Sequence, residues 1–465
     1  MPDSILEKAY YRSPIFLQNL AFSSYGLYLR RKRFWNGFSK NLERLRETEW
    51  WSASKIAQFQ EQKFVEVVRH AYETVPFYRN LYDLHGVNID QIKSLADAYK
   101  LPTITKVDIK NNLAGLVSAQ YSGCRLMRQL TSGTTGTPLT VSLTKQALNL
   151  QWAIWWRHKS RFGLCPGDRH LVFGARVPVG VNQRKPPYWR RDYINNRDYL
   201  STYHISRRNA RTIADYLNSE EFSFYTGYPS AIYDLAYLLD EKGFEITSRP
   251  NWIVSGSDSL VPRYERLISR VFGAPVTEQY GMTEFAGNIS KCEKGNFHVD
   301  FECGLVEVEG GNAAEGGALI LTGWGNPAMP FIRYRIGDAA VPLSGSCDCG
   351  RQSFCFSQIE GRLEDYVVTP DGRRVTGMNQ VFEYVTNAIE MQVYQEQLDL
   401  IEVRVVPGPN FGARDKDEFT REFRRRAGSE MAIKFRMVSS IDRSQSGKIK
   451  AVISDVSTEG SLQSS

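Results

Sequence analysis

Leu130-Thr131-Ser132-Gly133-Thr134-Thr135-Gly136-Thr137-Pro138-Leu139-Thr140-Val141 decides how the rest of the sequence reads. From Thr131 to Gly136 it offers three Thr, one Ser and two Gly, and Thr137-Pro138 follows. Glycine lets a backbone approach a ligand closely, and successive N–H groups flanked by hydroxyls make a concave anion site. The stretch therefore reads as a loop that holds phosphates. It is not the Walker loop of P-loop NTPases. Gly-Lys-Ser/Thr is missing, and the flanks Arg125 to Gln129 and Leu139 to Leu143 alternate like strands instead of opening a helix. Taken alone, the stretch also fits a Gly/Thr-rich hairpin turn.

The surrounding chain is long enough for more than one core: 465 residues, 42% hydrophobic and 23% charged. It has no run of about 18 apolar residues and does not start with a secretion pattern, so a cytoplasmic protein is expected. Seven cysteines, an odd number without framework spacing, point to reduced thiols, some of them metal-bound. The net charge of +7 suits anionic small substrates or an acidic membrane surface. No zinc-finger, RNA-recognition or homeodomain pattern accompanies it, so no nucleic-acid partner is expected. The oligomeric state is not legible.

Residues 14 to 50 bring Phe16, Leu17, Leu20, Leu27 and Leu29 close to Arg30-Arg31-Lys32-Arg33, either an interfacial amphipathic segment in peripheral contact with a membrane or a packed helix with a solvated basic end. Lys55 to Val75 has helical spacing and is closed by Pro76. Lys145 to His158 reads as a helix whose Trp152, Trp155 and Trp156 are expected in the core. The basic, proline-bearing stretch 181 to 192 reads as a mobile loop. From Phe222, strands (222 to 225, 252 to 255, 275 to 279) alternate with helices (230 to 242, 262 to 272), which predicts a parallel sheet covered by helices. Short strands at 305 to 308, 318 to 322, 331 to 335 and 339 to 343 make a β-rich part over about 300–360. Beyond Gly361, strands at 366 to 369, 400 to 406 and 432 to 438 with helices near 379 to 389 and 414 to 427 make a small α+β domain. The fold class is thus α/β: a large N-terminal domain over 1–361 with a leader at 1–54, a small mobile C-terminal domain over 362–456, and a flexible tail at 457–465.

Four further motifs follow the loop. Thr277-Glu278-Gln279-Tyr280-Gly281-Met282-Thr283-Glu284 lies just past a strand's C-terminal end, where open α/β sheets bind ligands. Its aromatic next to Gly suits an adenine face, Thr283 can donate to a phosphate oxygen, and Glu284 offers the hard oxygens that Mg²⁺ prefers. In Phe331-Ile332-Arg333-Tyr334-Arg335-Ile336-Gly337-Asp338 a carboxylate follows Gly where a strand is expected to end, placed to bind both ribose hydroxyls. Gly361-Arg362-Leu363-Glu364-Asp365 is a charged junction, and Ser446-Gly447-Lys448-Ile449-Lys450 puts a point charge on a loop.

In identity and order these motifs, over residues 130 to 450, resemble the adenylate-forming superfamily of acyl-CoA synthetases, peptide-synthetase adenylation domains and luciferases. The leader is similar to the phenylacetate-CoA ligase-like branch, including CapK-like proteins of capsular polysaccharide gene clusters. Gln58 to Gln60, His70-Ala71, Val75 to Arg79 and Asn326 to Pro330 carry that likeness. The resemblance implies that Thr131, Ser132, Gly133, Thr134, Thr135, Gly136 and Thr137 hold the phosphates of ATP. It implies further that Ser257, Gln279, Tyr280, Gly281, Met282, Asp338 and Arg362 complete the nucleotide site, that Thr283 and Glu284 serve phosphate and Mg²⁺, and that Lys448 promotes adenylation. Tyr228, Pro229, Ser255 and Gly256 then border the acyl pocket, and Glu364 and Asp365 form a hinge. Two departures stand out: Thr137 replaces a common Lys or Arg, and Ser255-Gly256-Ser257 replaces a Gly-Glu pattern.

Separately, Cys292-x5-His298 and Cys347-x-Cys349 are soft and borderline ligands in two clusters, enough for a structural zinc, with Cys355 able to replace a thiolate. Surface thiols and a core histidine are the alternative. The expected activity is ATP-dependent adenylation of a carboxylic acid with pyrophosphate release, then transfer to a thiol such as coenzyme A or to an amine, with a place in polysaccharide biosynthesis. The other expectation is a non-catalytic nucleotide- or membrane-binding scaffold of a polysaccharide assembly.

Overall fold

The computed structural model describes residues 5–35, 37–130, 139–174, 176–257, 259–310, 316–360, 366–375, 381–382, 384–385, 387–442 and 450–456. Thr131 to Thr137, expected to hold phosphates, Arg362, Glu364 and Asp365, expected at a hinge, Lys448 and residues 457–465 lie outside them.

Among the described residues one mixed sheet of 13 strands organises the first 360 residues. Its parallel half runs Arg197–Ser201, His170–Gly174, Phe224–Gly227, Trp252–Gly256, Val276–Gly281. The helices Pro229–Glu241 and Pro262–Phe272 connect these strands, each with Pro in its first turn, where the missing N–H costs no bond. At Val276–Gly281 the order turns antiparallel, through Asn288–Lys291, Phe297–Val299, Cys355–Glu360, Phe331–Pro342, Gly317–Gly323 and Gly304–Glu309. The β-rich part is therefore a hydrogen-bonded continuation of the parallel sheet, and it starts at Asn288 instead of near residue 300.

The two short strands expected over 331 to 343 form a single strand, Phe331–Pro342. Ala318 pairs with Ala339 but Ile320 with Arg335, so extra residues bulge out around Gly337, whose φ is 84°. A bulge re-aims side chains without ending the strand. Asp338 is thus displayed mid-strand, where the sequence suggested a strand end.

The flanks of the phosphate loop pair antiparallel, Met127–Leu130 with Thr140–Leu143, as their alternation predicts. The segment Asn326 to Pro330 braces the second flank and is held in turn by His70 and Tyr78. His70 on the helix Ala53–Thr74 meets Pro327 O at 2.8 Å, the Tyr78 hydroxyl donates to Pro330 O at 3.2 Å and accepts from Ile332 N at 2.8 Å, and Asn326 Nδ2 donates to Ser142 O at 2.9 Å. Residues picked out by branch resemblance thus meet in one buried seam.

The helix Ile15–Arg33 has one face on the strand Trp189–Asp192 and exposes another, with Phe16 68% and Leu20 59% exposed. Its basic end is only partly solvated, since Arg33 turns inward. The stretch 181 to 192, expected to be mobile, is held in place. Arg190 is fully buried and donates to Gln18 Oε1 (2.6 Å), Pro187 O (2.9 Å) and Trp189 O (2.6 Å). A buried guanidinium survives only with its donors satisfied, and here the leader helix supplies one acceptor.

The last part forms a four-stranded sheet in the order Ala432–Met437, Leu400–Pro407, Ala388–Gln397, Val452–Ser454, covered by the helix Ala413–Ala427. The helix expected near 379 to 389 is overturned at its end, where Ala388 already begins a strand; residues 379, 380, 383 and 386 lie outside the described residues. Tyr203, Val177 and Val181 pack against this core, and Arg373 Nη1 donates to Tyr203 O at 2.7 Å.

Candidate active site

Four parallel strands end on glycine: Gly174, Gly227, Gly256 and Gly281. Gly227 has φ 146°, and a Cβ there would sit 1.8 Å from Phe173 O, so no other residue fits. A cleft of about 1440 Å³ runs along one face of this sheet, past His170, Val172, Phe224 and Thr226, and reaches the strand ends at Gly174, Tyr228 and Ser257. This is where a parallel sheet binds its ligands.

Tyr280 and Asp338, 58 residues apart in sequence, meet outside the residues that line this cleft. The Tyr280 hydroxyl donates to Asp338 Oδ2 at 2.8 Å. Gly281 is the closing residue of its strand because a Cβ would lie 2.7 Å from Asn288 Oδ1. Asn288 in turn accepts from Trp155 Nε1 at 3.1 Å and donates to Asp300. Gln279 Nε2 donates to Ser290 Oγ at 3.0 Å, and Ser290 donates to Asp300 at 2.5 Å. Met282 O accepts from Gln151 at 3.3 Å. Thr283 and Glu284 lie in the turn between the antiparallel strands Val276–Gly281 and Asn288–Lys291, where Phe285 takes φ 54°. Glu284 is buried there.

Of the expected acyl-pocket residues, Tyr228 borders the cleft. Ser255 does not: it is buried and donates to Thr277 O at 3.0 Å within the sheet. Pro229 is buried at the head of its helix, and Gly256 sits under Gln279 O. Ser257, expected beside the nucleotide, borders the cleft with φ 72°, strained for a residue with a side chain. Cys292, His298, Cys347 and Cys349 converge in a separate cluster.

Sequence reasoning missed the cations of the cleft. Arg33 lies 4.0 Å over Trp152, Arg176 lies 5.0 Å over Tyr25 and 5.3 Å over Tyr199, and Lys159 lies 5.2 Å over Trp156. Burial, then the nearby Arg176 and Arg197, lowers the Arg33 guanidinium to about 10, and burial lowers Lys159 to about 8. Trp152, Trp155 and Trp156, expected in the core, also border this cleft. The helix-end run of basic residues beside aromatics was the available signal.

Glu278 was missed too. Burial pushes its carboxyl up to about 7 against the opposing pull of Lys291, whose Nζ lies 3.5 Å away. The folded protein therefore keeps a proton that the unfolded chain loses near 4.5, and stability falls as pH rises across that window. Glu278→Gln removes this loss. Thermal melts on either side of the window should show the variant gaining on the parent as pH rises, and parallel pH profiles would disprove the assignment.

A family model for the CapK C-terminal domain matches residues 367–455. Protein CapK of Staphylococcus aureus is 26% identical over 463 residues, covering 97% of this chain and 100% of that protein. The phenylacetate-coenzyme A ligase of Thermus thermophilus is 26% identical over 337 residues, covering 69% of this chain and 74% of that one. Among solved structures, 2-hydroxyisobutyryl-CoA ligase in its postadenylation state, in complex with R3-HIB-AMP, aligns with a TM-score of 0.55 at 18% identity, over 88% of this chain and 92% of that one. The chain is thus similar in sequence to CapK and to the phenylacetate-coenzyme A ligases, carries a CapK C-terminal domain at 367–455, and has the fold of an adenylate-forming CoA ligase.

Proposed function

We propose that this chain activates a carboxylic acid with Mg-ATP, forming an acyl-adenylate and pyrophosphate, and then passes the acyl group to a thiol such as coenzyme A or to an amine. The observation that carries the reading is the Tyr280–Asp338 contact, which joins the end of the Val276–Gly281 strand to the carboxylate displayed by the bulge at Gly337. Asp338 is the ribose partner, Tyr280 the adenine neighbour, and the loop from Thr131 to Thr137 the phosphate cradle. Thr283 and Glu284 fit a Mg²⁺-bridged phosphate by their hard oxygen donors. A metal held there neutralises phosphate charge, and this chain's residues orient the acid for in-line attack on the α-phosphorus.

The acid belongs in the cleft bordered by Tyr228 and Ser257. Arg33, Arg176 and Arg197 on aromatic faces favour an acid that carries a ring or sugar and a second anionic group. Arg190, in the basic stretch 181 to 192, is committed to the leader helix and is not available to the acid. The C-terminal domain then rotates about residues 362 to 365, withdrawing Lys448 and admitting the acceptor. A role in polysaccharide biosynthesis suits an anionic sugar acid.

The experiment is pyrophosphate release from Mg-ATP over a panel of aryl, fatty, amino and sugar acids, with and without coenzyme A or amines. Release dependent on one anionic acid is expected. ATP binding without release for any acid would favour the scaffold.

A further inference from the structure

The hairpin that follows the Tyr280 strand ends in a cluster no part of the adenylation chemistry uses. Cys292 sits in the turn after Asn288–Lys291, His298 on Phe297–Val299, and Cys347 and Cys349 on the segment linking Phe331–Pro342 to Cys355–Glu360. One ligand atom from each lies within 4.8 Å of all the others. Cys292 Sγ is 3.8 Å from Cys347 Sγ, and Cys349 Sγ is 3.2 Å from His298 Nε2. A tetrahedron with zinc–sulfur bonds of about 2.3 Å and a zinc–nitrogen bond of about 2.0 Å has edges of about 3.8 Å between sulfurs and about 3.5 Å from sulfur to nitrogen. The first spacing equals that edge and far exceeds a disulfide bond of about 2.0 Å.

We propose that Cys292, His298, Cys347 and Cys349 bind one zinc ion that ties the 343–354 segment to the 288–299 hairpin.

The surroundings fit a metal better than they fit a core. Cys292, Cys347 and Cys355 form a small cluster of their own, with the hydrophobic side chains Leu343 and Cys349 packed beside it, apart from the large aliphatic and aromatic cores. His298 is 1% exposed, and its Nδ1 faces Ser353 Oγ at 3.4 Å, which leaves Nε2 directed at the sulfurs. Asn296 Nδ2 donates to Cys347 Sγ at 3.2 Å, the kind of outer hydrogen bond that steadies a thiolate ligand. Two short backbone bonds, Cys292 N to Asn296 O at 2.7 Å and Gly295 N to Cys292 O at 3.0 Å, set the turn that presents the first ligand. With four protein donors the site is closed, so the zinc holds structure and leaves no position for substrate.

Cys355 Sγ stands 3.6 Å from His298 Nε2 and is a neighbour of the site, outside the ligand set. The hairpin braced by this metal carries Ser290 and Asn288, which hold Gln279 and the close approach at Gly281. The site therefore fixes the strand that bears Tyr280, whatever acid the chain uses.

The test is elemental analysis by plasma mass spectrometry of the full chain, produced without a histidine tag in zinc-replete medium. About one zinc per folded chain is expected, falling severalfold in Cys347→Ser and in Cys349→Ser and staying in Cys124→Ser and Cys355→Ser. Should the first two variants fail to fold, titration of the wild-type chain with a mercurial decides, because thiol modification must release zinc to a chromogenic chelator. Folded wild-type protein that carries no zinc, or iron instead, overturns the proposal. So does zinc kept by Cys349→Ser and lost by Cys355→Ser, or thiols modified without release.

Discussion

Lys448→Ala is expected to slow adenylation by on the order of 10²–10³-fold while ATP still binds, because one preorganised charge aimed at a transition state is worth about that much. The lysine lies in 443–449, outside the described residues, and the chain that follows is anchored. Gln392 Nε2 donates to Lys450 O at 3.0 Å, and Val452–Ser454 runs parallel to Ala388–Gln397. Under the proposed rotation of the C-terminal domain, such a charge serves one step and leaves for the next. Calorimetric ATP affinity measured beside single-turnover acyl-adenylate formation separates the two. Loss of both would make Lys448 a binding residue, and loss of neither would remove it from the chemistry.

Arg157→Met should destabilise the fold by about 3–5 kcal/mol, the usual cost of leaving buried charges without their partner. Arg157, on the helix Lys145–Arg161, is 2% exposed and contacts Asp300 at 2.5 Å, Glu302 at 2.5 Å and Leu45 O at 2.9 Å. Among the described residues, its removal leaves buried Glu302 without an ion-pair partner, leaves Asp300 with only Arg161 at 3.6 Å, and unties Leu45 O on the helix Phe38–Thr48. Arg157→Lys should not rescue it, since a point charge cannot replace the bidentate fork to Glu302. Urea unfolding measures the difference. A change under about 1 kcal/mol would mean that water reaches these carboxylates.

What the sequence made legible follows from period and punctuation. The helix Pro262–Phe272 has its expected bounds because Pro opens it and Gly273, at φ 62°, closes it. The flanks of the phosphate loop paired because their alternation is two-fold. Strands such as His170–Gly174 and Ala388–Gln397 escaped notice, since buried parallel and two-sided strands lack that alternation. The bulge at Gly337 could not be read because register is a property of two strands, and only one is local in sequence.

The site divided the same way. Motif residues Tyr280 and Asp338 were found through identity and order, and the structure supplied their contact. Ser255 was misplaced because one residue of alternation decides which face of a strand a hydroxyl points to. Arg33 was missed because a basic run at a helix end is usually solvated. Here the helix lies across the cleft mouth, and the cation turns back over Trp152. Arg190 misled in the opposite sense, a basic residue in a polar stretch whose charge is buried against the leader.

The measurement that reaches the central claim most directly is isotope exchange between labelled pyrophosphate and ATP, run with the acid that supports release and with no acceptor present. Reversible acyl-adenylate formation predicts acid-dependent exchange that Asp338→Asn and Lys448→Ala both suppress. Acid-dependent release of ADP and phosphate without exchange would contradict it, because that pattern belongs to an acyl-phosphate route.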